Sequence, residues 1–125
     1  IFEIKYCGRE TVMTKEIIDS AMKDLAQGAK NVYGDKLKEV ILFGSCARGD
    51  FANDSDVDVM ILLDIPKEEE NTERERIHET IYMLDKKYGY ELLFATVVES
   101  YDYFKKYVAV SPFLMNVRSD GVRYA

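Results

Sequence analysis

The stretch that decides the fold is Phe43–Leu63, "FGSCARGDFANDSDVDVMILL". It sets a Gly-Ser turn, an arginine and four aspartates (Asp50, Asp54, Asp56, Asp58) ahead of a hydrophobic run. The segment "VDVMILL" reads as a β-strand. Side chains on a strand alternate between faces, so Val57, Val59, Ile61 and Leu63 point one way and Asp56 and Asp58 the other, together. Residues two apart on a strand are roughly 7 Å apart at Cα. Like charges side by side are costly to bury unless a cation compensates. Hard oxygen ligands of this kind suit Mg²⁺ or Mn²⁺. A calcium loop does not fit. Asp54, Asp56 and Asp58 stand at alternate positions, but an EF-hand loop needs Gly sixth and Glu twelfth, where this chain has Val59 and Ile65.

Gly44 and Ser45 directly follow a short buried strand, "EVILF". A Gly-Ser corner lets backbone N–H groups approach a phosphate with no side chain in the way. The Ser45 hydroxyl adds a donor. Arg48, three residues on, can pair with phosphate oxygens or equally with a loop aspartate. This is not a P-loop, which ends in Gly-Lys-Ser/Thr. A Gly-Ser pair by itself is an ordinary turn. Joined to a same-face Asp pair on the next strand, it becomes specific. Asp50 and Asp54 read as loop and turn residues.

Outward from this stretch, Thr14 is a helix cap, and Ile17, Ile18, Ala21, Met22, Leu25, Ala26 and Ala29 follow a helical repeat that closes near Gly34. "KEEENTERER" is a charge run, read as a solvated loop and the exposed start of a helix. Ile77, Ile81, Leu84 and Tyr88 form that helix's buried stripe, and Gly89 ends it. "YELLFATVV" is a third strand. "SYDYFKKYVAV" and "SPFLMNVRSDG" follow, the second with Ser111 as cap, Pro112 in the first helical position and Gly121 as stop. The order helix, strand, strand, helix, strand, helix, helix predicts a small α/β sheet with helices over at least one face.

The chain has 125 residues, which fits a single domain. Residues 1–12 read either as an extra segment, with "IFEIKY" alternating like a short strand, or as lying ahead of a natural start at Met13. A 47% hydrophobic and 32% charged composition is that of an ordinary globular protein. No apolar run has the length of a membrane span, and the N-terminus lacks the form of a signal peptide. Cys7 and Cys46 stand in no metal spacing, so the expectation is reduced thiols in a cytoplasmic protein. A net charge of −6 disfavours a polynucleotide partner.

With these residues in hand, "FGSCARGDFANDSDVDV" resembles the signature of the nucleotidyltransferases of the DNA polymerase β superfamily. Phe43-Gly44-Ser45 and Asp56-Val57-Asp58-Val59 fill that signature. The "ARG" and "DSD" elements make it most similar to the minimal, stand-alone branch. The resemblance implies a palm-like α+β fold, a small mixed sheet with helices packed on it. It implies transfer of a nucleoside monophosphate from a nucleoside triphosphate, with ATP the expected donor, to an acceptor hydroxyl on a protein or small molecule, releasing pyrophosphate. Two divalent cations, Mg²⁺ or Mn²⁺, would be held by Asp56 and Asp58. Gly44, Ser45 and Arg48 would hold phosphates. The family's third carboxylate would be Glu91, where the family more often has Asp; the same residue also reads as a water-facing strand-edge carboxylate.

The chain has no room for a second substrate domain, so a homodimer or a partner protein is expected to complete acceptor recognition. The other class of function is a non-catalytic nucleotide-binding module, such as the antitoxin half of a toxin–antitoxin complex. The intact Gly-Ser and Asp-X-Asp argue against it. His78 reads as a partly exposed helix residue. Tyr101, Tyr103, Phe104 and Tyr107 read as a core stripe, with an aromatic docking patch as the alternative.

Overall fold

The computed structural model describes residues 13–125, so the reading of residues 1–12 as a short strand, and that of Cys7, lie outside the described residues. Helix α1 (Lys15–Tyr33) starts where Thr14 Oγ1 accepts the Ile17 N–H at 3.1 Å, and it ends at Gly34, whose φ is 56°. A 3₁₀ turn (Gly34–Lys36) leads into strand β1 (Leu37–Phe43). Next come a one-turn helix α2 (Ser45–Arg48), strand β2 (Val57–Leu63), and a second 3₁₀ turn (Lys67–Glu69). Helices α3 (Glu70–Arg76) and α4 (His78–Lys87), strand β3 (Phe94–Ser100), helices α5 (Tyr101–Tyr107) and α6 (Pro112–Asp120), and the short strand β4 (Val122–Arg123) complete the order.

The strands form one mixed sheet in the order β3-β2-β1-β4. β1 runs antiparallel to β2 and β4, while β2 and β3 are parallel. A parallel pair needs a long crossover, and α3 with α4 supplies it. Both faces of the sheet are covered, which is why β1 and β2 carry near-continuous apolar runs. On one face Val40, Leu42, Val57, Val59, Ile61 and Leu63 pack with the apolar stripe of α1 and with Ile77. On the other, Ile41, Met60 and Leu62 pack with Phe104, Leu114 and Val117. The apolar face of β2 (Val57, Val59, Ile61, Leu63) falls as the alternation predicts, with Asp58 on the strand between Val57 and Val59, whereas Asp56 lies one residue ahead of the strand.

Several expectations are corrected. The charge run is not simply solvated: Glu70 and Glu73 are buried. Glu73 accepts from Arg76 at 2.8 Å and Lys36 at 3.2 Å, and its backbone carbonyl accepts the Tyr33 hydroxyl. Glu70 accepts from Lys67 at 3.0 Å and from the Ser100 N–H at 2.8 Å, which ties α3 to the end of β3. The acidic helix is two helices, broken at the fully buried Ile77. The third strand starts at Phe94 and not at Tyr90, because residues 88–90 form a turn and residues 91–92 a bend. The aromatic group divides: Phe104 is core, whereas Tyr107 is partly exposed. The caps Ser111 and Pro112 and the stop at Gly121 stand as read. Among the described residues no helix is long and apolar enough to cross a membrane.

Candidate active site

The antiparallel register places Phe43, the last residue of β1, opposite Asp58. The chain turns immediately afterwards, so Gly44 lies against the Asp58 carboxylate. Its φ is 75°, and a Cβ there would collide with Asp58 Oδ2. Glycine is therefore required twice, for backbone conformation and for space. From Gly44 the chain enters α2. The N–H groups of Ala47 and Arg48 both donate to the Gly44 carbonyl at 3.1 Å. The leading N–H groups of a helix have no acceptor within it, so the Ser45 end of α2 presents donors beside Asp58. Cys46 fastens this turn to β2: its buried thiol donates to the Asp56 carbonyl at 3.6 Å. Burial pushes that thiol's pKa up, with the charge of Asp58 adding to the effect.

Asp58 is half-buried and Asp56 exposed. Burial raises the Asp58 pKa, the nearby charge of Asp56 raises it further, and Arg48 pulls it partly back. Two carboxylates thus share one electrostatic neighbourhood, with the Arg48 cation also within it. Arg48 also forms an exposed pair with Asp50 at 3.3 Å, so the loop-aspartate reading of Arg48 and its proximity to Asp58 both hold.

Glu91 does not open a strand; it lies in the bend ahead of β3. It still reaches the same neighbourhood. Asp54, Ser55, Asp56, Tyr90, Glu91 and Leu93 line a cavity of about 230 Å³. Asp54, expected only as a turn residue, is thus part of the wall, and Tyr90 and Leu93 were not singled out from sequence. The visible signal for them was Gly89, which marks a turn beside Glu91. Among the described residues no group of three or more His, Cys, Asp or Glu side chains converges as a metal cage. The geometry is a carboxylate pair with a third carboxylate across a small cavity from Asp56.

Other features stay apart from this cluster. His78, the first residue of α4, is exposed and lies 3.4 Å from Glu75 of α3. A cavity of about 420 Å³ lies beside the start of α1, lined by Lys15, Asp19, Cys46 and Tyr124 among others, and an open groove of about 570 Å³ runs between α1 and α4. The larger groove contains none of the site residues, so size does not mark the chemistry here.

A family model described as a nucleotidyltransferase domain matches residues 22–114, which take in the Gly-Ser turn, both aspartates and Glu91. A protein of Methanocaldococcus jannaschii named "Putative protein adenylyltransferase" is 32% identical over 103 residues, covering 82% of this chain and 93% of that protein. A second protein of the same organism and name is 52% identical over 48 residues, covering 38% of this chain and 44% of that protein.

Proposed function

The chain belongs to the nucleotidyltransferase domain family, and on that premise we propose that it transfers a nucleoside monophosphate from ATP to a hydroxyl of an acceptor protein, releasing pyrophosphate. The observation that carries this reading is the juxtaposition of Gly44, with no room for a side chain, and Asp58, whose carboxylate shares its surroundings with Asp56. The names of the relatives support a protein acceptor and an adenylyl donor.

In this reading the Ser45 end of α2 and the Ser45 hydroxyl receive the β- and γ-phosphates, and Arg48 adds a cation to them. The donor set fits a hard divalent cation in its chemistry, since it is all carboxylate oxygen. Mg²⁺ or Mn²⁺ held by Asp56, Asp58 and Glu91 would neutralise phosphate charge and orient in-line attack. The acceptor oxygen forms a bond to the α-phosphorus as the bond from that phosphorus to the bridging oxygen breaks. Pyrophosphate leaves over Gly44 and Ser45, and the hydroxyl proton passes to Glu91.

Calorimetric titration of ATP, GTP, CTP and UTP with Mg²⁺ into the wild type and into Asp56→Ala/Asp58→Ala tests this. The expected result is Mg²⁺-dependent binding of ATP that the double variant loses. ATP binding that persists in the double variant, or that ignores Mg²⁺, overturns the carboxylate assignment.

A further inference from the structure

Tyr90 is the non-glycine residue with a positive φ among the described residues, at 61°. That conformation is unfavourable for an L-residue. It persists because the turn around it is held at several points. The Tyr90 N–H donates to the Asp85 carbonyl at 2.8 Å, and the Phe94 N–H donates to the Asp85 carboxylate at 3.3 Å. The Gly89 N–H donates to the Lys86 carbonyl at 3.0 Å. One residue of α4, Asp85, therefore clamps both the strained residue and the start of β3. Strain maintained in this way points to a position that function requires.

What Tyr90 gains is a place on the wall of the Asp56–Glu91 cavity. Its hydroxyl hydrogen-bonds with Tyr82 on α4. The ring is left as an apolar surface, half exposed, with Leu93 partly exposed beside it. β2 lies between β1 and β3, so the Gly44–Ser45 turn flanks Asp58 on one side and the Tyr90 cavity flanks Asp56 on the other. In-line displacement requires the nucleophile and the leaving group on opposite sides of the phosphorus. With pyrophosphate leaving over the Gly44 side, the entering oxygen must come from the Tyr90 side.

We propose that this cavity is the acceptor subsite and that Tyr90 is its positioning residue, an aromatic wall that aligns a hydroxyl-bearing side chain of the acceptor protein beside Asp56 and Glu91. The inference rests on the nucleotidyl-transfer reading above. The hydroxyl attacks the α-phosphorus, pyrophosphate departs, and the proton goes to Glu91. The Tyr90 ring takes no part in bond making; it fixes the approach.

The test uses the full chain with Mg²⁺, ATP labelled at the α-phosphate, and the N-acetyl amides of serine, threonine and tyrosine as acceptor probes. Tyr90→Gly accepts the positive φ without strain, so folding is preserved, and it removes the wall. The expected result is a KM for the best amide raised about tenfold, with kcat changed far less and the ATP Kd from calorimetry within about twofold. Tyr90→Phe keeps the ring and is expected to restore the acceptor KM to within about threefold of wild type. An unchanged acceptor KM in Tyr90→Gly overturns the proposal. So does an ATP Kd that weakens in step with KM, which would make the ring part of the donor site. Absence of ATP binding by the wild type instead overturns the underlying nucleotidyl-transfer reading, and the calorimetric arm identifies that case separately.

Discussion

Asp58 is held at a disadvantage by its own position. It is half-buried, it faces the charge of Asp56, and Gly44 is pressed against its carboxylate. Its pKa stands above the ordinary 3.8, first because of burial and then because of Asp56. The sign follows from proton binding. The folded chain holds this proton more tightly than the unfolded chain does. Stability is therefore greatest below 3.8 as far as this group is concerned, and it falls as pH rises through the raised folded value. At neutral pH the ionised carboxylate is a standing destabilisation. Asp58→Asn is thus expected to raise the Tm of the cation-free protein at pH 7 in a thermal melt while abolishing nucleotidyl transfer. A lower Tm in the variant would mean that the carboxylate is structurally satisfied as it stands. Little of this was open to inspection of residues alone. The alternation of Asp56 and Asp58 was legible from strand geometry, but the depth of Asp58 depends on the Gly44 turn lying beside it.

At the scale of the elements, α3 shows what local sequence rules miss. "KEEENTERER" has the composition of a solvated surface, yet Glu70 and Glu73 are buried there. The partners of Glu73 come from two places: Arg76 is local, three residues on, but Lys36 precedes β1 and arrives only through tertiary packing. Burial works to raise the Glu73 pKa, but hydrogen bonds from Arg76 and Lys36 override it and leave the group below its ordinary 4.5. Its contribution to stability is accordingly present above that value and lost as pH falls through the lower folded value. Glu73→Gln is expected to lower stability at pH 7 by about 1–3 kcal/mol in urea denaturation, since two half-exposed cations lose a charged acceptor. Below pH 4.5 the gap to wild type should narrow, and a gap independent of pH would contradict the ion-pair account. The turn between α4 and β3 follows the same logic. Gly89 announced a turn, but the Asp85 clamp that strains Tyr90 requires α4 and β3 to be already in place.

The whole molecule is a sheet with helices on both faces, and the site sits where β1 ends and β2 begins. Asp58 lies on the face that Met60 and Leu62 share with Phe104 of α5 and with Leu114 and Val117 of α6. That layer therefore supports the aspartate from below. Phe104→Ala is expected to cost about 3–5 kcal/mol. It should lower the urea midpoint and weaken ATP binding together, because loosening the layer loosens the strand that carries Asp58; unaltered stability would show that α5 is peripheral. By itself the sequence determined the elements whose signals are local: the cap at Thr14, the stop at Gly34, the two faces of β2, the Ser111-Pro112 start of α6, and the Gly-Ser and Asp-X-Asp pattern that a nucleotidyltransferase domain model also matches. These depend on residues within a turn or two of one another, where backbone sterics and side-chain period act directly. Tertiary structure alone decided the sheet order, the added edge strand β4, the burial of Glu70 and Glu73, and the meeting of Asp56 with Tyr90 and Glu91 around one cavity. Each of those needs segments distant in the sequence to be brought together, and the free energy that does so is apolar burial on both faces of the sheet, whose partners no local pattern names.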